Sequence, residues 1–551
     1  MIELAHPGVV YLIGALLVAL APRRLRALLV LLVPAVALFL GLMLPDGYQT
    51  AARFLGREVS PLRADRLSLV FATVFLIMGG LGSVFQFHVK ARGPHVAAFI
   101  YVGGALGVVF AGDLLTLFVA WELMTVSSVF LIFQRRSAEA LAAGFRYLLV
   151  HAFGGASLLA GILLHVTSGG SLSFEAMALT GPTALILLGF AVNAAIPPLH
   201  AWLTDAYPQG TVTGSVFLSA FTTKSAVYAL ARGFPGEELL MWAGAVMAIY
   251  GVVFAVLEND IRRLLAYHIV SQVGYMVAGV GLGTQLALNG TSAHAFSHIL
   301  YKGLLFMGTG AVLHVTGRSK LTELGGLWRT MPLTLVLYTV GAFSISGVPL
   351  FNGFVSKSMV VAAAEEAHRV PIEWMLILAS VGTFLHTGLK LPFFTFFAED
   401  RGLRGREPPW NMLLAMSLAA ALCIATGVAP GMLYQMLPFS VTYEPYTAHH
   451  LVTTLQLLLG TAVGFMLLIR HLGGEPTVTL DTDWVYRRGG RLVLGACQGW
   501  ARLSAGGTRA VSEAVGRLLP GAHGVSAPRS LPVGYWVLIN LGLLALLLLA
   551  L

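Results

Sequence analysis

Apolar runs of about 18 to 25 residues with few charges, each long enough to cross a bilayer as a helix, recur along this chain with short arginine-bearing stretches between them. Backbone polar groups find no water inside a bilayer, so such runs are confined to helices. The expected segments are 7–22, 27–44, 67–88, 94–111, 113–133, 144–167, 182–204, 212–233, 238–257, 264–283, 291–315, 332–362, 372–397, 410–437, 449–471 and 533–551. They predict an all-α polytopic membrane protein of about sixteen transmembrane helices. Composition agrees: of 551 residues 57% are hydrophobic and only 11% charged, a balance typical of polytopic membrane proteins. The net charge of +9 does not point to nucleic acid, because the arginines fall between apolar runs, where they act as topology signals. Cys423 and Cys497 have no ligand spacing, and no CxxC, GxGxxG, Walker or HExxH pattern stands in a credible context. Hydride transfer, ATP hydrolysis and zinc hydrolysis are left without support, and no cofactor or metal is expected.

The basic clusters Arg23/Arg24/Arg26, Lys90/Arg92, Arg135/Arg136, Arg262/Arg263, Arg318/Lys320/Arg329, Arg401/Arg404/Arg406 and Arg487/Arg488/Arg491 all fall on one side with this helix count. The positive-inside rule then places both termini on the non-cytoplasmic side of the inner (cytoplasmic) membrane. Arg53, Arg57, Arg63 and Arg66 conflict, since they stand in an outside loop. Segment 7–22 reads as a retained helix, lacking a basic flank and a small-residue cleavage site.

Two spans look interrupted, at Asn193-Ala-Ala-Ile-Pro-Pro-Leu-His200 and at Ser346-Gly-Val-Pro-Leu-Phe-Asn-Gly-Phe-Val-Ser-Lys357. Broken helices at membrane depth are tolerated around a cavity or inside protein, and a pair of them suggests inverted-repeat transporters. The expected organisation is helices 1–3 in 1–93, a first five-helix inverted repeat in 94–233, a second in 238–397, two helices in 410–471, a cytoplasmic or interfacial segment in 472–532, and a final span at 533–551. Residues 490–519 mix apolar and arginine positions, as would suit an interfacial helix, but their glycines suit a plain linker equally.

Ionisable residues inside these runs are the candidate functional groups. A lysine at the depth of Lys224, in Ser219-Ala-Phe-Thr-Thr-Lys-Ser-Ala-Val-Tyr228, costs roughly 3 kcal/mol or more to insert. Glu122 lies more than a turn inside its helix and is a natural proton holder; packing against an interhelical donor is the blander alternative. His294, His298 and Lys302 recur every four residues and stack along one helix face. Neutral histidine both donates and accepts, so the spacing suits a proton wire better than a metal site with no acidic third ligand nearby. Lys357 follows the second interruption, where water can enter, and Lys390 is the counterpart of Lys224 if the repeats hold.

The chain resembles the antiporter-like subunits shared by respiratory complex I, membrane-bound hydrogenases and Mrp-type cation/proton antiporters. The resemblance spans about 65–400 and rests on Gly112-Asp-Leu through Trp121-Glu122, Pro198-Leu-His-Ala-Trp-Leu-Thr-Asp-Ala206, Thr223-Lys-Ser-Ala-Val-Tyr228, Asp260-Ile-Arg-Arg-Leu-Leu-Ala-Tyr267, Ser271-Gln-Val-Gly-Tyr275, His298 to Phe306 and Gly353-Phe-Val-Ser-Lys357. Gln272-Val-Gly-Tyr275 looks most like the D-type Mrp subunits. The resemblance implies that Glu122 is the fifth-helix glutamate, Lys224 the central lysine, His298 and Lys302 the relay, and Lys357 the terminal lysine. The family usually pairs its glutamate with a seventh-helix lysine, where this chain has Asn193; His151 and His200 are candidate replacements. The C-terminal part resembles the lateral-helix arrangement of the longest family members.

The expected function is proton translocation within a multi-subunit Na+/H+ or K+/H+ antiporter. The partners would be other membrane subunits and the lipid bilayer, with no catalytic turnover in this chain. Alternatives are a proton-pumping subunit of a complex I-like NADH:quinone oxidoreductase or a hydrogenase, and a non-conducting structural subunit.

Overall fold

The computed structural model describes residues 6–473 except 55 and 404, together with 475, 481–484, 488–490, 492 and 495–496. The expected final span at 533–551 and most of the 490–519 stretch lie outside the described residues. Two units are distinguished, Met1–Ala52 with Val59–Thr479, and Arg53–Glu58 with Leu480–Leu551.

The first unit is a helical bundle. In chain order its helices are α1 (Pro7–Leu20), α2 (Arg23–Leu42), α3 (Arg66–Phe85), α4 (Arg92–Phe110), α5 (Leu114–Phe133), α6 (Ala138–Thr167), α7 (Gly181–Asn193), α8 (Ala201–Ala206), α9 (Gly214–Ala220) and α10 (Thr222–Gly233). They continue as α11 (Glu238–Leu257), α12 (Ile261–Leu282), α13 (Gln285–Thr316), α14 (Pro332–Ser346), α15 (Asn352–Glu366), α16 (Val370–Thr383), α17 (Trp410–Val428), α18 (Gly431–Tyr434) and α19 (Ala448–Leu468). Eleven of the described helices are long and apolar enough to span a membrane, and α1, α7 and α14 are shorter apolar helices. The protein is thus a multi-pass membrane protein. Every expected segment through 471 holds helix, while the count of sixteen extends past the described residues.

Local chemistry sets the ends. Asp113, Asp260, Ser137 and Thr284 cap α5, α12, α6 and α13 by accepting from first-turn amides. Gly283, Gly317 and Gly347 terminate α12, α13 and α14 in the left-handed region. Helix α12 is wholly buried at the centre, whereas α2 and α19 present most of their apolar surface outward. A bilayer and neighbouring subunits are the natural cover for such surface.

Two expectations need correction. Segment 212–233 is not one helix: the backbone departs from helical geometry at Phe221 (φ −103°, ψ −61°), dividing α9 from α10. Segment 410–437 stops at Val428, and only the short turn of α18 follows. Both anticipated interruptions are present. Between α7 and α8, Ala195 has φ +58° and the Pro197–Pro198 bond is cis; Trp202 Nε1 donates to Val192 O at 2.9 Å, tying the halves together. Between α14 and α15, a Cβ on Gly353 would sit 1.7 Å from Ser344 O, so only glycine permits that approach.

The arginine-bearing loops meet one another at one end of the bundle. Arg135 donates to Pro208 O, Arg262 to Gly210 O, Ile261 N to Ser319 O and Gly326 N to Ala398 O. The discordant arginines of the other end are neutralised: Arg63 lies 3.1 Å from Asp65 and 3.8 Å from Glu175, and Arg66 lies 4.0 Å from Asp46. In the second unit Arg53 pairs with Glu58 at 3.9 Å. Arg53, Arg63 and Arg66 thus each have an acidic partner.

Asp65 also accepts from the buried Arg232 at 2.7 Å while capping α3. Burial opposes its ionisation, yet Arg232, the Ser68 amide and Arg63 together hold its carboxyl below the usual carboxylate range. A depressed folded-state value means stability that is present at neutral pH and is lost as pH falls through the acid range. Asp65→Asn keeps the cap but leaves Arg232 without its counter-charge. It is expected to lower stability by about 1–3 kcal/mol, seen as an earlier thermal transition in detergent at pH 7, with the difference from wild type shrinking at strongly acid pH.

Candidate functional site

Four lysines lie in the interior, and each ammonium is held by main-chain carbonyl oxygen. Lys224, in the first turn of α10 directly after the Phe221 interruption, donates to Ser219 O at 2.6 Å. Lys302 on α13 reaches Leu265 O at 3.2 Å. Lys357 on α15 donates to Ile345 O at 3.3 Å and Ser380 Oγ at 2.8 Å, and stands over the Tyr275 ring at 5.8 Å. Lys390 donates to Val256 O at 2.6 Å and Glu258 O at 3.3 Å, at the C-terminal end of α11. Neutral or protonated, each amine keeps a bonding partner there; of the four, Lys390 also has the Glu258 carboxylate within electrostatic reach.

Imidazoles connect the lysines. His298 is within electrostatic reach of Lys224, Lys302 and His294, and His294 of Lys357 and Lys224. The His294 and His298 rings are 6.2 Å apart, and His294 Nδ1 lies 3.3 Å from Ser356 Oγ on α15. Two further histidines, which sequence reasoning passed over, complete the line. His268 on α12 is within reach of Lys302 and His386, the His268 and His386 rings being 6.2 Å apart, and His386 is within reach of Lys390. Among the described residues, both ring nitrogens of His268, His298 and His386 are buried without a protein partner, so bridging water is their natural complement. His386 and Lys390 repeat the four-residue spacing of His294 and His298, a signal available in the sequence. They stand on a π-helical continuation of α16, Phe384–Lys390, a distortion often found at functional sites.

Lys357 also lines a cavity of about 440 Å³ whose walls include Glu365, Glu373, Glu444, His449 and His450. That gives the line an opening with acidic walls.

Glu122 stands apart from this line, on α5. A Cβ on Gly155 of α6 would lie 2.0 Å from its Oε1, so the carboxylate rests on bare backbone. Among the described residues Oε1 is buried and unpartnered. Asn193 is buried at the end of α7 with both amide atoms likewise unpartnered. Neither candidate replacement is joined to Glu122. His151, one turn before Gly155, donates through Nδ1 to Tyr147 O (2.9 Å), stacks on Tyr147 and meets Trp202. His200 packs on Tyr250. A hydroxyl cluster lies between the two regions: Tyr147 bonds Ser128 on α5, and Tyr101 bonds Thr222, two residues before Lys224. Tyr147 and Tyr207 are also within reach of the Thr222 hydroxyl.

The sequence profile described as NADH:quinone oxidoreductase/Mrp antiporter, transmembrane, matches residues 111–386, half of the chain. The chain belongs to that family. The A/B component of a probable K+/H+ antiporter of Rhizobium meliloti is 30% identical over 400 residues, covering 67% of this chain and 40% of that protein. The chain therefore spans less than half the length of that relative. The D component of the Na+/H+ antiporter of Alkalihalophilus pseudofirmus is 28% identical over 424 residues, covering 71% of this chain and 86% of that protein. A chain of an archaeal membrane-bound sulfane sulfur reductase shares the fold with a TM-score of 0.73 at 23% identity, covering 99% of this chain and 100% of that one.

The Gly155 contact makes a direct prediction. Gly155→Ala must displace Glu122 or part α5 from α6, and is expected to cost about 1–3 kcal/mol. Gly154→Ala, whose Cβ meets only the Val192 side chain at 3.1 Å, should cost less. Thermal unfolding of both variants in one detergent checks the order.

Proposed function

We propose that this chain carries protons across the inner membrane as one subunit of a multi-subunit cation/proton antiporter. The observation that supports the reading best is the buried line from Lys224 through His298, Lys302, His268 and His386 to Lys390, branching through His294 to Lys357. Every ammonium in it is bonded to main-chain oxygen. Titratable groups at this depth are expensive to retain without use. Neutral imidazoles both accept and donate protons, and water between them completes the path.

In this reading residues 94–233 and 238–397 are two inverted halves, each with a proline-bearing interruption, and Lys224 and Lys390 are counterparts. The arginine-rich end faces the cytoplasm, and the cavity beside Lys357 serves the opposite face. Sodium or potassium would be moved with other membrane subunits. A redox-driven complex could use the same line, and the test separates the two.

In vesicles containing the chain with its neighbouring subunits, adding sodium or potassium is expected to change internal pH. Lys224→Ala should abolish the response, and His386→Leu should slow it by at least about tenfold, equivalent to ~1.4 kcal/mol on the limiting step. A normal rate in His386→Leu would remove the Lys390 branch from the path. No response to either cation in assembled wild-type complex would favour redox-driven pumping.

A further inference from the structure

At the arginine-rich end, away from the buried line, a cavity of about 600 Å³ is lined by Arg23, Arg24, Arg26, Lys90, His95 and Trp410 among others and, among the described residues, by no carboxylate. Three helix N-termini meet there. Arg23, Arg24 and Arg26 belong to the first turn of α2, His95 to that of α4, and Trp410 to that of α17. None of the three helices has a side-chain cap, and none has an acidic residue in its first turn. Their unpaired amides and dipoles therefore add to the positive field of the side chains. The carboxylate nearest in sequence, Glu407, is turned elsewhere: its oxygens accept from Leu333 N, Thr334 N and Thr334 Oγ1 at the start of α14.

Two of the lining residues are largely shut away within the bundle, and no acidic side chain lines the cavity with them. Arg26 is 8% exposed, and among the described residues its guanidinium makes no hydrogen bond or ion pair. His95 is 3% exposed; its Nε2 bonds Val89 O at 2.9 Å, while Nδ1 is unpartnered. Each lies in the electrostatic field of the other. An anion in the cavity would meet Arg26 and the other basic side chains with charge-assisted hydrogen bonds that no carboxylate of the lining supplies. The floor is already rigid, because Asn411 donates to Val84 O and Phe85 O and contacts His88 Nδ1 at 3.1 Å.

We propose that this cavity binds the phosphodiester headgroup of an anionic membrane phospholipid. A free phosphate offers the same anion, but the surroundings favour a lipid. Leu25, Leu28 and Leu32 on α2, and Leu414 and Leu418 on α17, are exposed apolar side chains on two of the helices that rim the cavity, where acyl chains can lie. Trp410, 67% exposed, stands at the rim as interfacial tryptophans do. Basic pockets between transmembrane helices are suited to such headgroups. Through His88, whose ring lies 5.4 Å from that of His314 in the last turn of α13, the cavity adjoins the helix that carries His294, His298 and Lys302.

The test uses the purified full chain in detergent with phosphatidylglycerol, phosphatidylcholine of the same acyl chains, and inorganic phosphate, read by native mass spectrometry and thermal unfolding. Phosphatidylglycerol should bind about tenfold or more tighter than phosphatidylcholine. The double variant Arg24→Gln/Lys90→Gln should lose about tenfold or more of that affinity, at roughly 1 kcal/mol per cation. Arg318→Gln, exposed at the same end and outside the cavity, should lose none. Arg26→Leu should abolish the rise in melting temperature that phosphatidylglycerol gives wild type. Equal affinity for the two lipids, an equal loss in Arg318→Gln, or an undiminished phosphatidylglycerol-dependent rise in the melting temperature of Arg26→Leu would overturn the proposal. Displacement of phosphatidylglycerol by millimolar inorganic phosphate would assign the cavity to a free anion and overturn the lipid assignment.

Discussion

A charge placed inside a bilayer must be met by fixed polar groups, and in this protein the groups that meet it are main-chain carbonyls. Lys224, Lys302, Lys357 and Lys390 all donate to backbone oxygen. A carboxylate partner would bind each proton with an ion pair, and removing the proton would then leave a naked buried anion. A carbonyl dipole stabilises the ammonium less and tolerates the amine equally well. Retention and release are thereby brought within a small energy difference, which is what transfer along a line of groups requires.

That solution depends on carbonyls with spare capacity, and most helical carbonyls are already committed to the ladder. Helix ends and interruptions supply them. Ser219 stands just before the break at Phe221, Ile345 in the last turn of α14 before its break, and Val256 with Glu258 at the end of α11. Breaks and helix ends thus supply the acceptors of three of the four lysines, whereas Lys302 bonds Leu265 O inside the continuous α12. The wholly buried α12 and the mostly buried α13 then supply the imidazoles between them from the bundle centre, farthest from bulk water.

Much of this was legible in the sequence because the signals are local. Run length located every described span, proline and glycine marked two interruptions, and an isolated charge in an apolar run marked Glu122 and the four lysines. The interruption at Phe221 was not legible: Ser219-Ala-Phe-Thr-Thr223 contains neither proline nor glycine, and Tyr101 on α4, which bonds both the amide and the hydroxyl of Thr222, lies 121 residues away. His268 was missed because a single histidine on an apolar helix is ordinary; only its approach to His386, from a distant helix, gives it meaning. The basic clusters were read as topology signals, and that reading cannot say that Arg26 is buried while Arg24 is exposed. Burial depends on which helices converge, and α2, α4 and α17 are far apart in sequence.

The place of Asn193 changes what Glu122 can do. An amide cannot take up the charge that would let a neighbouring glutamate respond by pairing, and Glu122 lies against Gly155 with no cation fixed to it among the described residues. Of the two histidines considered as substitutes, His151 suits the role better. Its Nδ1 must carry the proton, because Tyr147 O can only accept, which leaves Nε2, buried and unpartnered, as the site for a second proton. The ring itself stacks on Tyr147 and meets Trp202 in a T-shaped contact. Tyr147 also joins His151 to the hydroxyl cluster at Thr222, next to Lys224. His151 is thus tied to the lysine side of the bundle through Tyr147 and the hydroxyl cluster, while Glu122 is joined to neither histidine.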